Sequence, residues 1–227
     1  PFAAVGSHDT ASAVAAIPGE GNFAFCSSGT WSLFGAESEK PVKTQAVFDA
    51  NFSNEGTVQG TFRLLKNIMG LWLVQECRRD WQKQGNFLSY DEIDAQAKAS
   101  KGLVSIIDTD DLSFYASGNM QKKIQQYCAK TNQPVPETVG EVARTIYDSL
   151  ALKYRFALET LETYRGGCID QLNIVGGGTK NKLMNQLAAD ATGRTVVAGP
   201  VESACVGNLL MQAVALGELR DVQEARA

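Results

Sequence analysis

Four short stretches carry groups that could do chemistry. Asp9 stands in Gly6-Ser7-His8-Asp9-Thr10, where an apolar run over residues 1–5 gives way to a predicted helix. A carboxylate there lies where open α/β sheets place ligands, outside the carboxyl end of a strand. Two readings apply: an N-cap, since Asp favours that position, or a base that takes the proton of a substrate hydroxyl. His8, taken alone, reads as structural. Ser27-Ser28-Gly29-Thr30 is a glycine-containing turn whose N–H groups and hydroxyls could cradle phosphate, although hairpin turns of this composition are common. In Val175-Gly176-Gly177-Gly178-Thr179-Lys180-Asn181, consecutive glycines leave no side chain where a planar ligand or phosphate could lie against backbone, and a helix start adds a field that favours anions. The stretch is neither a GxGxxG fingerprint nor a P-loop; close strand–helix packing, which would need one or two of its glycines, and nucleotide contact are the two readings. Asn67 and Gln75 are expected eight residues apart on one helix, about 12 Å along its axis, where they could touch two parts of a ligand. Arg63 and Lys66 read as ordinary surface charges.

These groups need elements to hold them. Residues 1–5 read as a buried strand, 11–17 as a short helix ending at Pro18-Gly19-Glu20-Gly21, and 23–26 with 31–34 as a β-hairpin. Residues 47–52 are a further strand candidate. Over 64–81 the apolar positions Leu64, Leu65, Ile68, Leu71, Trp72 and Cys77 recur at helical spacing, which predicts an amphipathic helix. Residues 82–136 are more polar and are expected as a surface cap or lid, with a capping box, Ser89-Tyr90-Asp91-Glu92, opening a helix toward Ala99. A second box, Thr138-Val139-Gly140-Glu141, opens a long helix that Gly166-Gly167 should end. The last third alternates: strand 169–175, glycine turn, helix 181–192, strand 195–198, helix 203–216 stopped by Gly217. A hairpin followed by βαβα predicts a mixed sheet, parallel in its later part and flanked by helices.

The composition is that of a globular protein: 227 residues, 44% hydrophobic and 20% charged, enough chain to bury roughly 70% of its unfolded surface without a disulfide or metal. A net charge of −4 without long like-charged blocks argues against nucleic acid as a partner. The longest apolar stretch, about 68–74, is far short of the ~20 residues a membrane helix needs. Five dispersed cysteines (Cys26, Cys77, Cys128, Cys168 and Cys205) with no CxxC pair and a single His make a zinc site improbable, and read as buried thiols in a reducing cytoplasm. The opening without Met, directly into a core-like run, reads as a piece of a longer chain or as an expression artefact of a few residues.

Taken in order, Gly6-Ser7-His8-Asp9-Thr10-Ala11-Ser12-Ala13-Val14, Ser27-Ser28-Gly29-Thr30-Trp31-Ser32-Leu33, Asn54-Glu55-Gly56, Leu65-Lys66-Asn67-Ile68-Met69-Gly70-Leu71-Trp72, the Gly176–Asn181 turn and Ala198-Gly199-Pro200-Val201-Glu202 resemble the FGGY carbohydrate-kinase family, and within it the branch that acts on L-rhamnulose. The resemblance runs along the whole chain apart from about 82–136. It implies an α/β domain of the actin/hexokinase/ribonuclease H-like kind, with residues 1–227 forming the C-terminal, ATP-binding lobe, the N-terminal lobe lying upstream, and a variable, mostly helical insertion at about 82–136.

By residue-to-residue matching, the resemblance implies Asp9 as the base, with His8, Asp9, Thr10 and Asn67 at the sugar. Thr30 would face the γ-phosphate, and Gln75 and Gly177 the nucleotide; Gly29, Gly176, Gly178 and Asn181 are further candidates on the ATP side. ATP and L-rhamnulose are the implied small-molecule partners, Mg²⁺ the implied cofactor, and rhamnose breakdown the implied setting. The fragment without its other lobe is expected to bind ATP weakly and turn over little. A fuculokinase or xylulokinase, or a non-catalytic actin-like nucleotide-binding module, is the alternative.

Overall fold

A computed structural model describes residues 3–18 and 21–227. Helix α1 (Asp9–Ala15) leads into β1 (Phe23–Ser28) and β2 (Trp31–Ser38), followed by α2 (Gln45–Asp49), β3 (Ser53–Gly56) and β4 (Phe62–Met69). Helices α3 (Trp72–Lys83), α4 (Tyr90–Ala99), α5 (Met120–Lys130) and α6 (Val139–Arg165) come next, and then β5 (Gln171–Val175), α7 (Lys182–Thr192), β6 (Thr195–Ala198), α8 (Ser203–Leu216) and α9 (Val222–Arg226). The strands form one six-stranded mixed sheet in the order β3-β4-β2-β1-β5-β6. The β1–β2, β2–β4 and β3–β4 pairs are antiparallel, and β1–β5 and β5–β6 are parallel. Hairpin first and parallel crossovers afterwards is the architecture expected from the order of signals.

Because side chains alternate across a strand, each face of the sheet gathers its own core. Phe34, Ala36, Leu64 and Ile68 pack with Leu150, Tyr154 and Leu158 of α6 on one face. Phe23, Phe25, Leu65 and Val175 pack with Ala13, Val14 and Ile17 on the other. Thr138 and Ser89 make complete capping boxes with Glu141 and Glu92, and Gly166 closes α6 at φ 75°. The 82–136 segment sends Ile93, Ala97, Phe114, Met120 and Ile124 into the same core as α6. Among the described residues no helix is long and apolar enough to cross a membrane.

Several expectations are corrected. Residues 64–81 are not one helix: β4 pairs with β2 along its whole length, from Phe62 opposite Ser38 to Met69 opposite Trp31, and α3 starts only at Trp72. A strand buried on both faces shows no apolar–polar alternation, so its Leu and Ile positions imitate a helical period. The corner is fixed by Gly70, where a Cβ would lie 2.7 Å from Ser32 Oγ. Arg63 and Lys66 are therefore buried rather than surface charges. Arg63 Nη2 donates to Glu55 Oε2 at 3.0 Å and to the Gly56 carbonyl at 3.2 Å, and Lys66 Nζ donates to the Ala50 carbonyl at 2.9 Å.

The strand expected at 47–52 is instead α2, whose N-cap Thr44 accepts from Val47 N at 3.3 Å. Residues 3–5 are irregular rather than a buried strand, since the sheet ends at β3 and β6 and offers them no neighbour; Pro1 and Phe2 lie outside the described residues, as do Gly19 and Glu20 of the expected helix stop. Cys26, Cys77 and Cys128 are buried thiols, but Cys168 and Cys205 are exposed, because the first follows the α6 stop and the second lies on the open side of α8.

Candidate functional site

The site has two ends. At the first, α1 is capped by His8 and not by Asp9: His8 Nδ1 accepts from Thr10 N at 3.2 Å. Asp9 opens the helix one position later, its Oδ1 accepting from Thr10 N at 2.7 Å and from Thr10 Oγ1 at 3.3 Å. His8 Nδ1 is also 3.1 Å from Asp9 Oδ1, and the Asp9 side chain is 81% exposed. A carboxylate tethered by one oxygen and open on the other side is free to accept a proton from a hydroxyl brought to it. Behind it, burial lowers the pKa of Arg63, while Glu55, Glu37 and Asp9 act in the opposite direction, which puts Asp9 within the field of a buried guanidinium. His8, Ser7, Glu55 and Arg63 border a cavity of about 650 Å³ on this side.

Asn67 does not share a helix with Gln75. It is an exposed residue of β4 opposite Leu33, and alternation puts it on the same sheet face as Leu65, the face that α1 covers. Gln75 belongs to α3 at the other end of the site.

That second end is assembled from four elements. The β1–β2 turn is gripped by the β4–α3 corner, where Leu71 N donates to the Gly29 carbonyl and Trp72 N to the Thr30 carbonyl, both at 3.0 Å. One turn further along α3, Gln75 Oε1 accepts from Thr30 Oγ1 at 3.1 Å. After β5, the three glycines turn out to have separate reasons. Gly176 has φ 86° and its N–H reaches the Pro200 carbonyl at 3.1 Å. A Cβ on Gly178 would collide with Ser28 Oγ, so this glycine lets the loop lie on β1. Gly177 has neither constraint: its φ is ordinary, and a Cβ there would meet nothing within 4 Å.

The tight turn expected at 176–178 is a short 3₁₀ turn over Gly177–Lys180, and Asn181 caps α7, its Oδ1 accepting from Met184 N at 2.8 Å. Gly29, Gln75, Gly177, Gly178 and Asn181 then line one cavity of about 520 Å³ outside the carboxyl ends of β1 and β5. Such a position, and a volume within the range of ligand pockets, suit a nucleotide.

Sequence reasoning missed part of this wall. Tyr90 and Asp94 of α4 and Tyr147 of α6 also line the cavity. Asp94 Oδ1 accepts from Tyr147 Oη at 2.5 Å and from Asn181 Nδ2 at 3.0 Å. Burial pushes the Asp94 carboxyl above its ordinary range, against the pull of the Tyr147 hydrogen bond. The capping box at Ser89 was the available signal that α4 begins here; nothing local marks Asp94. Among the described residues no group of three or more His, Cys, Asp or Glu could hold a metal ion.

Residues 24–216 match the model of the FGGY family of carbohydrate kinases, C-terminal domain. The curated rhamnulokinase of Bacteroides thetaiotaomicron is 46% identical over 227 residues, covering 100% of this chain and 46% of that protein. That of Enterobacter sp. strain 638 is 48% identical, with 100% and 46% covered. The chain thus spans about half the length of the curated relatives it matches. Among solved structures, a xylulose kinase from Rhodospirillum rubrum superposes with a TM-score of 0.65 at 19% identity, over 95% of this chain and 43% of that one. A Plasmodium falciparum glycerol kinase with ADP gives a TM-score of 0.62 at 13% identity, over 96% and 42%. These likenesses show a shared fold.

Proposed function

The chain belongs to the FGGY family of carbohydrate kinases, matching its C-terminal domain, and on that premise we propose that it is the nucleotide-binding lobe of an enzyme that converts ATP and L-rhamnulose to ADP and L-rhamnulose 1-phosphate. The observation that carries the reading is the convergence of Gly29, Gln75 and Gly177 on one cavity at the carboxyl ends of β1 and β5, with Thr30 hydrogen-bonded to Gln75 beside it. The choice of sugar rests on the 46% and 48% identity to proteins named rhamnulokinase. A kinase of L-fuculose or D-xylulose and a non-catalytic nucleotide-binding module are the competing readings.

In this proposal residues 1–227 act as one lobe of a two-lobed protein, with residues 82–136 as its mostly helical insertion. Phosphoryl transfer asks mainly for positioning and charge stabilisation. Asp9 takes the proton of the sugar hydroxyl, whose oxygen attacks the γ-phosphorus as ADP leaves. His8 and Thr10 flank the sugar, with Asn67 on the same sheet face. Thr30, beside Gln75, faces the γ-phosphate; Gly177 lets the nucleotide lie against bare backbone, with Gly29, Gly178 and Asn181 shaping that wall and Gly176 turning the chain into it. Mg²⁺ usually takes one or two carboxylates plus substrate phosphates and water. That mode needs no all-protein cage, and the phosphates with water would hold the ion here while Asp9 stays free as the base. Bound Mg²⁺ would neutralise phosphate charge. The other lobe supplies the opposite wall, so this chain alone binds ATP weakly and turns over little. A reducing cytoplasm suits its five free thiols.

The test is ADP release by the full-length protein over L-rhamnulose, L-fuculose, D-xylulose and glycerol, with Asp9→Asn alongside. Release that depends on L-rhamnulose and collapses in the variant is the expected result. Release with another sugar overturns the substrate assignment, and release with none overturns the kinase reading.

A further inference from the structure

The wall that no sequence motif marked has the chemistry of a base reader. Tyr90 lines the cavity, and the Arg78 guanidinium sits over its ring, 4.7 Å from the centre. Leu71 and Val74 supply apolar surface, and Gly177 and Gly178 supply bare backbone. A slot of ring, aliphatic side chains and side-chain-free backbone suits a flat heteroaromatic ligand.

Into this slot comes one carboxylate. Asp94 is half-buried, and its Oδ1 is occupied twice, by the Tyr147 hydroxyl at 2.5 Å and by the Asn181 amide at 3.0 Å. Those two bonds fix the carboxylate's plane. Both partners are themselves held: Tyr147 is fully buried in α6, and the Asn181 Oδ1 is committed to the α7 cap. The second oxygen, Oδ2, accepts no hydrogen bond from any described residue. A rigid, ionisable acceptor left open beside a cavity recognises a donor on whatever fills it.

We infer that Asp94 is the base-selecting residue of this site, its Oδ2 accepting the exocyclic amine of adenine seated against Tyr90. The inference rests on the nucleotide reading above and adds which face of the base is recognised. A 6-oxo purine turned the same way would point an oxygen at the carboxylate, and like partial charges in a partly desolvated slot discriminate strongly. Asp94 is thus expected to distinguish ATP from ITP, which differ only at that edge of the ring. Loss of one hydrogen bond to a charged acceptor corresponds to about a ten- to hundredfold weaker binding.

The experiment is a calorimetric titration of the full-length protein with ATP, ITP and GTP, repeated on Asp94→Asn. The expected result is ATP binding about ten- to hundredfold more tightly than ITP, and a ratio that narrows or reverses in Asp94→Asn, whose amide can donate to the 6-oxo group. Equal binding of ATP and ITP by the unaltered chain overturns the inference while leaving the nucleotide site standing, and that comparison needs no variant to fold. A variant that weakens ATP and ITP by the same factor assigns Asp94 a purely structural part and overturns it too, as does tightest binding of GTP. If none of the three triphosphates binds, the nucleotide reading falls and this inference falls with it.

Discussion

Around the 520 Å³ cavity, polar side chains are tied to residues of other elements: Gln75 of α3 to Thr30 of the β1–β2 turn, and Asp94 of α4 to both Tyr147 of α6 and Asn181 ahead of α7. At the start of α1 the polar contacts are local. Among the described residues Asp9 bonds only to Thr10 and His8, and its side chain is 81% exposed. The two ends of one site are therefore built differently. On the proposed assignment, the nucleotide end would be preformed by packing inside this chain, whereas the proton-accepting end would have its carboxylate positioned but not enclosed. A general base gains its effectiveness in a site that excludes water, so the contrast agrees with a division of labour in which another lobe closes over Asp9.

The contrast breaks most visibly at Asp9 itself. In the full-length protein, Asp9→Asn is expected to lower sugar-dependent turnover by about 10²- to 10⁴-fold, the usual worth of a positioned base, with ATP affinity unchanged; steady-state kinetics with a parallel ATP titration checks both halves of that statement.

Next in size is a pair of neighbouring glycines. Gly178→Ala drives a methyl into Ser28 and is expected to destabilise the fold by about 1–3 kcal/mol, read as a lower melting temperature. Gly177→Ala meets no atom within 4 Å and should melt like the parent while losing ATP affinity. Equal melting losses in both would mean that Gly177 has a structural reason and no ligand-facing one.

Smaller still is the effect at Gln75. Gln75→Leu removes a cavity-lining amide set against the nucleotide in this reading, and loss of one neutral hydrogen bond of about 1 kcal/mol corresponds to roughly fivefold weaker ATP binding.

The smallest effect concerns acid. Glu141 is held below the ordinary carboxylate range by the Thr138 and Glu137 backbone N–H groups, and Glu92 by those of Ser89 and by its hydroxyl. A lowered pKa in the folded state means that the stabilisation is present above the ordinary carboxylate value, about pH 4, and is lost as pH falls through the folded value. Melting curves of the parent and of Glu141→Gln should therefore differ near neutrality and converge in acid.

How far the sequence carried depends on how local each signal was. The capping boxes at Ser89 and Thr138 and the helix stops at Gly166 and Gly217, both left-handed, are decided within a few residues, and the α4, α6 and α8 assignments follow from them. β4 was illegible because Leu64 and Leu65 are buried on opposite faces of a central strand, which erases the alternation that marks strands. That error carried Asn67 onto the wrong element and Arg63 onto the surface. The glycine run announced a backbone-lined site but could not say that Gly176 serves the turn, Gly178 the packing on β1 and only Gly177 the open space. Asp94 and Tyr147, 53 positions apart, meet through tertiary packing of α4 on α6, for which no local pattern exists.

The most direct test of this division is the melting temperature of the 227-residue chain titrated separately with ATP and with L-rhamnulose. A preformed nucleotide end predicts that saturating ATP raises it, by linkage to the folded state, while sugar alone leaves it unchanged. Stabilisation by the sugar with none by ATP would contradict the account.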